Sequence, residues 1–489
     1  MVTGSMKPSS SGQHIKLQYP PTSLLPLDLL DWFGAGSARL LNGLNIALML
    51  VNAGCMGLLA NTLLSSRLAL RGWRRLAVGA GAVLSALAFY PVTRGLQLGQ
   101  IQIWLDLCFT AACLSIAYRR ELAAGVLMGI ASTIKPQFLP FLLVSALLRH
   151  WRFLAGFTAV AAGLGVISLW RYGLHNHLAY LDVLRFITRH GEAFFSNNSV
   201  NGIVNRLVFN GNNLGWEQHS FAPFNAAVYI ATAGTGVGFM AIPFLLRPLS
   251  SDLQERLLHF CLSALCFVIA SPVVWEHHYG ILPAIYLVAL RSLLDQPSSA
   301  RRPLLKPVLL AVSWMLCASK LDPVVNRLSG TILNPLQATH FWGAILLLVV
   351  LMLELIGRRR SLRASLLART AHPRAIQRGI AEVFLIRRRP ATQETGGSSV
   401  PYATHHGQSC ITALQGMKKL HSNDHKGQGD GECAKECPNA EPEQEGGIGA
   451  QRAKLNRNGN YDRPSPGPHD GEHISQSIGR EEVAVMHLW

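Results

Sequence analysis

Between Leu40 and Ile356 the chain is a succession of apolar runs close to the thickness of a bilayer core, and only 11 residues in that stretch are Asp or Glu. About 20 apolar residues in a helix cross the hydrocarbon layer. Every backbone amide inside it must be satisfied within the crossing segment itself, which leaves helices or a closed barrel. The runs fall near residues 42–64, 76–93, 101–117, 122–134, 137–148, 153–171, 223–246, 257–274, 278–294, 305–319 and 340–356. Continuous apolar runs of that length suit helices. The expected fold class is therefore an all-α polytopic membrane protein, a bundle of 10–11 transmembrane helices. Composition agrees, with 49% hydrophobic and 15% charged residues, against about 25% charged in soluble domains. A soluble enzyme, a DNA-binding protein and a secreted disulfide scaffold are excluded.

The net charge of +17 reads as topology and predicts no nucleic-acid partner. Most of the basic residues within the bundle sit in alternate short loops: Arg67 to Arg75, Arg119-Arg120, Arg149 with Arg152, Arg247 with Arg256, Arg291 to Lys306, and Arg358-Arg359-Arg360. Positive loops face the cytoplasm. The opposite set, residues 1–41, 94–100, 135–136, 172–222, 275–277 and 320–339, then faces the extracytoplasmic side of the cell membrane. The unusual polar residues collect there, which puts a functional surface on that side.

Four regions are expected: an extracytoplasmic segment 1–41, a membrane domain 42–356 with a long loop at 172–222, a basic cytoplasmic stretch 357–389 that can lie against anionic lipid, and a polar tail 390–489. The tail is too poor in apolar residues to fold on its own. It carries Cys433 and Cys437 near His421 and His425, but a closed zinc site needs four fixed ligands, so no metal site is expected. No Walker, Rossmann or DxD-like motif is present, and no nucleotide or other cofactor is expected; a divalent metal is left open.

Lys135 precedes Pro136, which pins its backbone. An ammonium at membrane depth lines a polar cavity or pairs with an anion, and it suits a phosphate; the alternative is a snorkelling interfacial lysine. Glu276-His277-His278 offers a carboxylate to accept a proton and imidazoles to donate to a phosphate. Asp106 is a carboxylate inside an apolar run, either functional or a structural partner for a neighbouring helix. Arg94 and Gln100 flank a Gly-containing turn, and Asn198 and Arg206 lie in the aromatic loop; all suit hydroxyls or phosphate.

Taken in order, the blocks Tyr19-Pro20-Pro21, the 95–100 run ending Leu98-Gly99-Gln100, Gly125-x3-Gly129 leading to Lys135-Pro136, Asn197-Asn198-Ser199 and Ser271-Pro272-Val273-Val274-Trp275-Glu276-His277 resemble glycosyltransferase family 87, of the GT-C superfamily. The resemblance covers roughly residues 17–356. It implies a hexosyltransferase of mannosyl or arabinosyl type that uses a polyprenyl-phosphate-linked sugar as donor and a glycan or glycolipid as acceptor. Glu276, His277 and His278 take catalytic roles in that reading. Lys135, Arg94, Gln100, Tyr19, Asn198, Arg206 and Asp106 bind substrate. The resemblance also implies an Asp ahead of the Tyr-Pro-Pro block. Residues 1–18 contain no Asp, no Glu and no apolar span, so the expectation is a truncated copy with little transfer activity. The competing expectation is a secondary transporter or a flippase for lipid-linked sugar, which usually shows paired broken helices; the sequence offers one break, at Lys135-Pro136.

Overall fold

The computed structural model describes residues 19–371, apart from residues 35, 66, 218–219, 251 and 296–303, and apart from the side chains of 365–371. Expectations about the segment before Tyr19, the 390–489 tail with its cysteines, and most of the basic 357–389 stretch lie outside the described residues.

The described chain is helical. After a turn at Pro21–Leu24 come α1 (Leu25–Trp32), α2 (Ala38–Leu64), α3 (Trp73–Leu87), α4 (Tyr90–Gln97), α5 (Gln102–Ala117), α6 (Glu121–Ile134), α7 (Phe141–Leu147) and α8 (Trp151–His190). Then follow α9 (Val200–Leu207), α10 (Ala226–Leu245), α11 (Leu253–Ile269), α12 (Leu282–Leu294), α13 (Leu305–Ala318), α14 (Asp322–Val325) and α15 (Thr339–Ala371). Each apolar run in the sequence has its helix. Fewer single helices than runs are long and apolar enough to cross by themselves among the described residues. The helices α2, α8, α10 and α15 are long and apolar enough to cross a membrane, and two bent pairs bring the total to as many as six. One pair is α3 with α4, bent by 50°; the other is α13 with the 322–328 segment, bent by 86°. The apolar helices α5 and α6 are shorter. At about 1.5 Å per residue, the 16 residues of α5 fall short of a 30 Å core.

The loop expected at 172–222 is helical at its start. The helix α8 runs on to His190 past a break at Gly173, where φ is 76° and ψ 157°. Only glycine takes that conformation without strain. The imidazole of His177 closes the break, with one nitrogen 2.9 Å from the Gly173 carbonyl and the other 2.9 Å from Ser168 Oγ.

Small residues set the closest packing. A Cβ at Gly125 would overlap the Phe153 carbonyl, one at Gly129 would lie 2.8 Å from the Phe157 carbonyl, and one at Gly156 would overlap the Leu122 carbonyl. The backbones of α6 and α8 are therefore in contact, as glycine-spaced membrane helices allow. That contact fixes the end of α6, and with it Lys135.

The arginine-bearing ends of the helices are tied by ion pairs. Asp295 takes Arg67 at 3.4 Å, Arg358 at 3.3 Å and also Arg291. Lys306 meets the buried Glu354 at 2.7 Å, and Ser292 donates to the same carboxylate at 2.6 Å. The other ends of α12 and α15, near Glu276 and His340, carry the polar site.

Replacing Gly125 by Val is expected to destabilise the folded protein by about 1–3 kcal/mol through overpacking. Gly163→Val on the partner helix α8, where nothing stands within 4 Å of an added Cβ, is expected to be near neutral. Thermal unfolding of the two purified variants checks this, and equal melting temperatures would contradict it.

Candidate functional site

The short helices end at a polar knot. Lys135 caps α6 and donates from Nζ to Gln102 Oε1 at 2.7 Å. Gln102 opens α5 and donates from Nε2 to Asp106 Oδ1 at 2.8 Å, one turn on. The amide thus stands between ammonium and carboxylate. The Lys135 ammonium also lies 5.7 Å from the centre of the Tyr19 ring, within reach of a cation–π attraction. The Tyr19 hydroxyl donates to Gln100 Oε1 at 3.2 Å. A Cβ at Gly280 would run into the Asp106 carboxylate, so glycine there is what lets Asp106 reach the knot. Asp106 Oδ2 has no hydrogen-bond partner among the described residues.

A second knot surrounds Glu276, which is 2% exposed. Arg94 Nε lies 3.5 Å from Oε2, and Ser196 donates to Oε1 at 3.0 Å. The Tyr90 hydroxyl lies 3.2 Å from Glu276 Oε2 and 3.3 Å from Asp322 Oδ2. Burial pushes the Glu276 carboxyl up to about 7, and the neighbouring Asp322 adds to the rise. Burial raises Asp322 as well.

His277 and His278 are buried next to Glu276. Their rings stand 4.6 Å apart and at 90° to one another, and neither Nδ1 has a partner among the described residues. Burial holds His277 well below the usual histidine range, and the charges of Lys135 and Arg94 push the same way. Burial thus favours its neutral imidazole form. Groups arranged so, a carboxylate poised near neutrality beside N–H and cationic donors, suit proton abstraction with stabilisation of a departing anion.

The Asn197-Asn198-Ser199 block is stitched to the 272–275 strand-like segment. Asn197 pairs with Trp275 in a lone bridge, the Asn198 amide donates to the Val274 carbonyl at 2.7 Å, and Ser199 Oγ donates to the Pro272 carbonyl at 2.7 Å. Asn198 Oδ1 accepts from the His340 amide at 3.2 Å, and its Nδ2 donates to the Ser196 carbonyl at 3.0 Å. Arg206, 1% exposed, gathers the carbonyls of Ala193, Phe194 and Asn197 on one guanidinium nitrogen, at 3.4, 3.1 and 3.1 Å. These two side chains hold the wall of the site.

Eight of the ten residues expected from sequence thus stand in or against the two knots. Gln102, Tyr90, Ser196 and Asp322 were missed. Gln102 had a signal, an amide one helical turn from an intramembrane Asp. Asp322 was one of the few acids of its region and lay in a loop already assigned to the same side. Tyr90 and Ser196 carried no signal. No group of three or more His, Cys, Asp or Glu side chains that could hold a metal exists among the described residues.

The model of Glycosyltransferase family 87 matches residues 17–272, just over half of the chain. No curated protein and no solved structure matches it. The matched range holds Tyr19, Arg94, Lys135 and the Asn197-Asn198-Ser199 block and stops just short of Glu276.

Gly280→Ala is expected to expel the Asp106 carboxylate and lower the melting temperature, and Asp106→Ala in the same chain is expected to recover part of the loss. A double-mutant cycle by thermal unfolding should show coupling of about 0.5–3 kcal/mol; strict additivity would contradict the contact.

Proposed function

The chain belongs to glycosyltransferase family 87 and is by family a membrane glycosyltransferase, and on that premise we propose that it moves a hexosyl group, of mannosyl or arabinosyl type, from a polyprenyl-phosphate donor to a glycan or glycolipid acceptor on the extracytoplasmic face. The observation that carries the reading is the grouping of one buried carboxylate, Glu276, with Lys135, Arg94 and two imidazoles. The distribution of arginines supports the sidedness. The apolar flanks of the bundle suit a polyprenyl tail.

The chemistry follows from those groups. The acceptor hydroxyl attacks the anomeric carbon on the face opposite the phosphate, giving inversion. Its proton passes to Glu276. The bond from the anomeric carbon to the phosphate oxygen breaks, and the electron pair leaves on the phosphate. Lys135 and Arg94 offset the charge that develops there, and the imidazole N–H groups donate to it. Stabilisation aimed at charge that exists only in the transition state raises turnover rather than tightening binding alone.

A second reading draws on the two bent helix pairs, whose breaks deliver Tyr90 and Asp322 to one place. Paired broken helices also occur in transporters, and the same site would then carry a lipid-linked sugar across the membrane.

Membranes containing the full chain are given radiolabelled polyprenyl-phosphate mannose or arabinose and a glycolipid acceptor; labelled product supports the transferase reading and overturns the expectation, read from residues 1–18, of little transfer activity. Glu276→Gln should cut turnover by about 10²–10⁴-fold, the usual range for losing a general base. Lys135→Met should slow transfer with a smaller effect on acceptor binding. Label that crosses sealed vesicles without forming product would favour the transporter reading, and transfer undiminished in Glu276→Gln would remove Glu276 from the mechanism.

A further inference from the structure

Three separate chain segments bring oxygen atoms to one point. Tyr90 follows the 50° bend between α3 and α4, Asp322 follows the 86° bend after α13, and Glu276 opens the turn before α12. The Tyr90 hydroxyl stands 3.2 Å from a Glu276 oxygen and 3.3 Å from an Asp322 oxygen. A phenol has one proton to give. With both carboxylates ionised, it can satisfy one, and the other faces its lone pairs in a buried setting. A proton on either carboxyl removes the conflict: that acid donates to the phenol oxygen, and the phenol donates to the remaining carboxylate.

We propose that Glu276 and Asp322 act as one base that takes up a single proton, shared across Tyr90, with Asp322 and Tyr90 as its positioning residues. The inference rests on the transferase reading for its role in catalysis. There, the acceptor O–H bond breaks and its proton goes to the pair. The oxygen's electron pair forms the new bond to the anomeric carbon, and the bond to phosphate breaks with its electrons on the phosphate. Sharing the proton spreads the charge over two carboxyls and strengthens the base without a histidine.

Other groups face the pair. Arg94, at 3.5 Å from Glu276, favours the ionised form, and so does the charge of Lys320 near Asp322. Ser196 donates to Glu276 at 3.0 Å. His277 adjoins Glu276 in the chain. From α15, the fully buried His340 lays its ring 5.6 Å from that of Tyr90, and its Nε2 has no partner among the described residues. Burial and the mutual repulsion of the two carboxylates oppose Arg94 and Lys320.

The test needs no sugar substrate. The full-length protein in lipid nanodiscs is titrated across roughly pH 5 to 9, a window well above ordinary carboxyl values, and followed by infrared difference spectroscopy of the carboxylic acid C=O band. A carboxyl protonating near pH 7 is expected. Asp322→Asn and Glu276→Gln should each shift that midpoint down by about 1–2 pH units, because a like charge has been removed. Asp322→Glu should keep the midpoint within a few tenths. The acid limb of any measured transfer activity should shift down with the band in Asp322→Asn. A wild-type spectrum with no carboxyl titrating in that window overturns the proposal, as does a midpoint unmoved in Asp322→Asn. If the titration behaves as expected but no sugar is transferred, the transferase reading fails and the shared proton stands.

Discussion

An ammonium ion cannot stay in an apolar helix bundle unless something there replaces its water. In this protein the replacement is the hydrogen bond from Lys135 to Gln102, continued from Gln102 to Asp106. Much of the architecture serves that chain of three. The glycine contacts between α6 and α8 set where α6 ends, and so where the ammonium stands. The missing Cβ of Gly280 admits the Asp106 carboxylate. The Tyr19 ring closes over the ammonium from the start of the described chain. Without that arrangement the desolvation of each ion would cost several kcal/mol with no return.

The Glu276 knot works under the same constraint, with a different result. Its carboxylate has donors from Ser196, Tyr90 and Arg94, yet it shares the phenol with a second carboxylate. Burial and that neighbour together raise its proton affinity. Glu354 on α15 takes Lys306 and the Ser292 hydroxyl, whereas Glu276 has Arg94 and Ser196 but shares the Tyr90 hydroxyl with Asp322.

The bundle was legible in the sequence because hydrocarbon imposes length, polarity and internal hydrogen bonding all at once. Every apolar run found its helix. The bends were less legible: run length counts apolar residues, and the bends at 88–89 and 319–321 lie inside or at the edge of apolar stretches. The site was legible where a residue was costly in its setting, as with Lys135, Asp106 and Glu276. It was not where a residue is ordinary in its setting. Tyr90 and Ser196 look like any interfacial tyrosine or loop serine, and only the fold places them on Glu276. Asn198 and Arg206 were legible as unusual; Asn198 and one guanidinium nitrogen of Arg206 hold the loop in place, a use that the sequence cannot separate from ligand binding, while Arg206 Nε and Nη2 have no hydrogen-bond partner among the described residues.

The central claim is that the two knots form one site for a lipid phosphate, at the ends of the helices opposite the arginine-rich loops. An experimental structure of the full chain with a polyprenyl phosphate bound tests it most directly. The account predicts the phosphate within hydrogen-bonding distance of Lys135 Nζ and near Arg94, with His277 or His278 donating to it. A phosphate seated instead among Arg67, Arg71, Arg74 and Arg75 at the opposite end would contradict it.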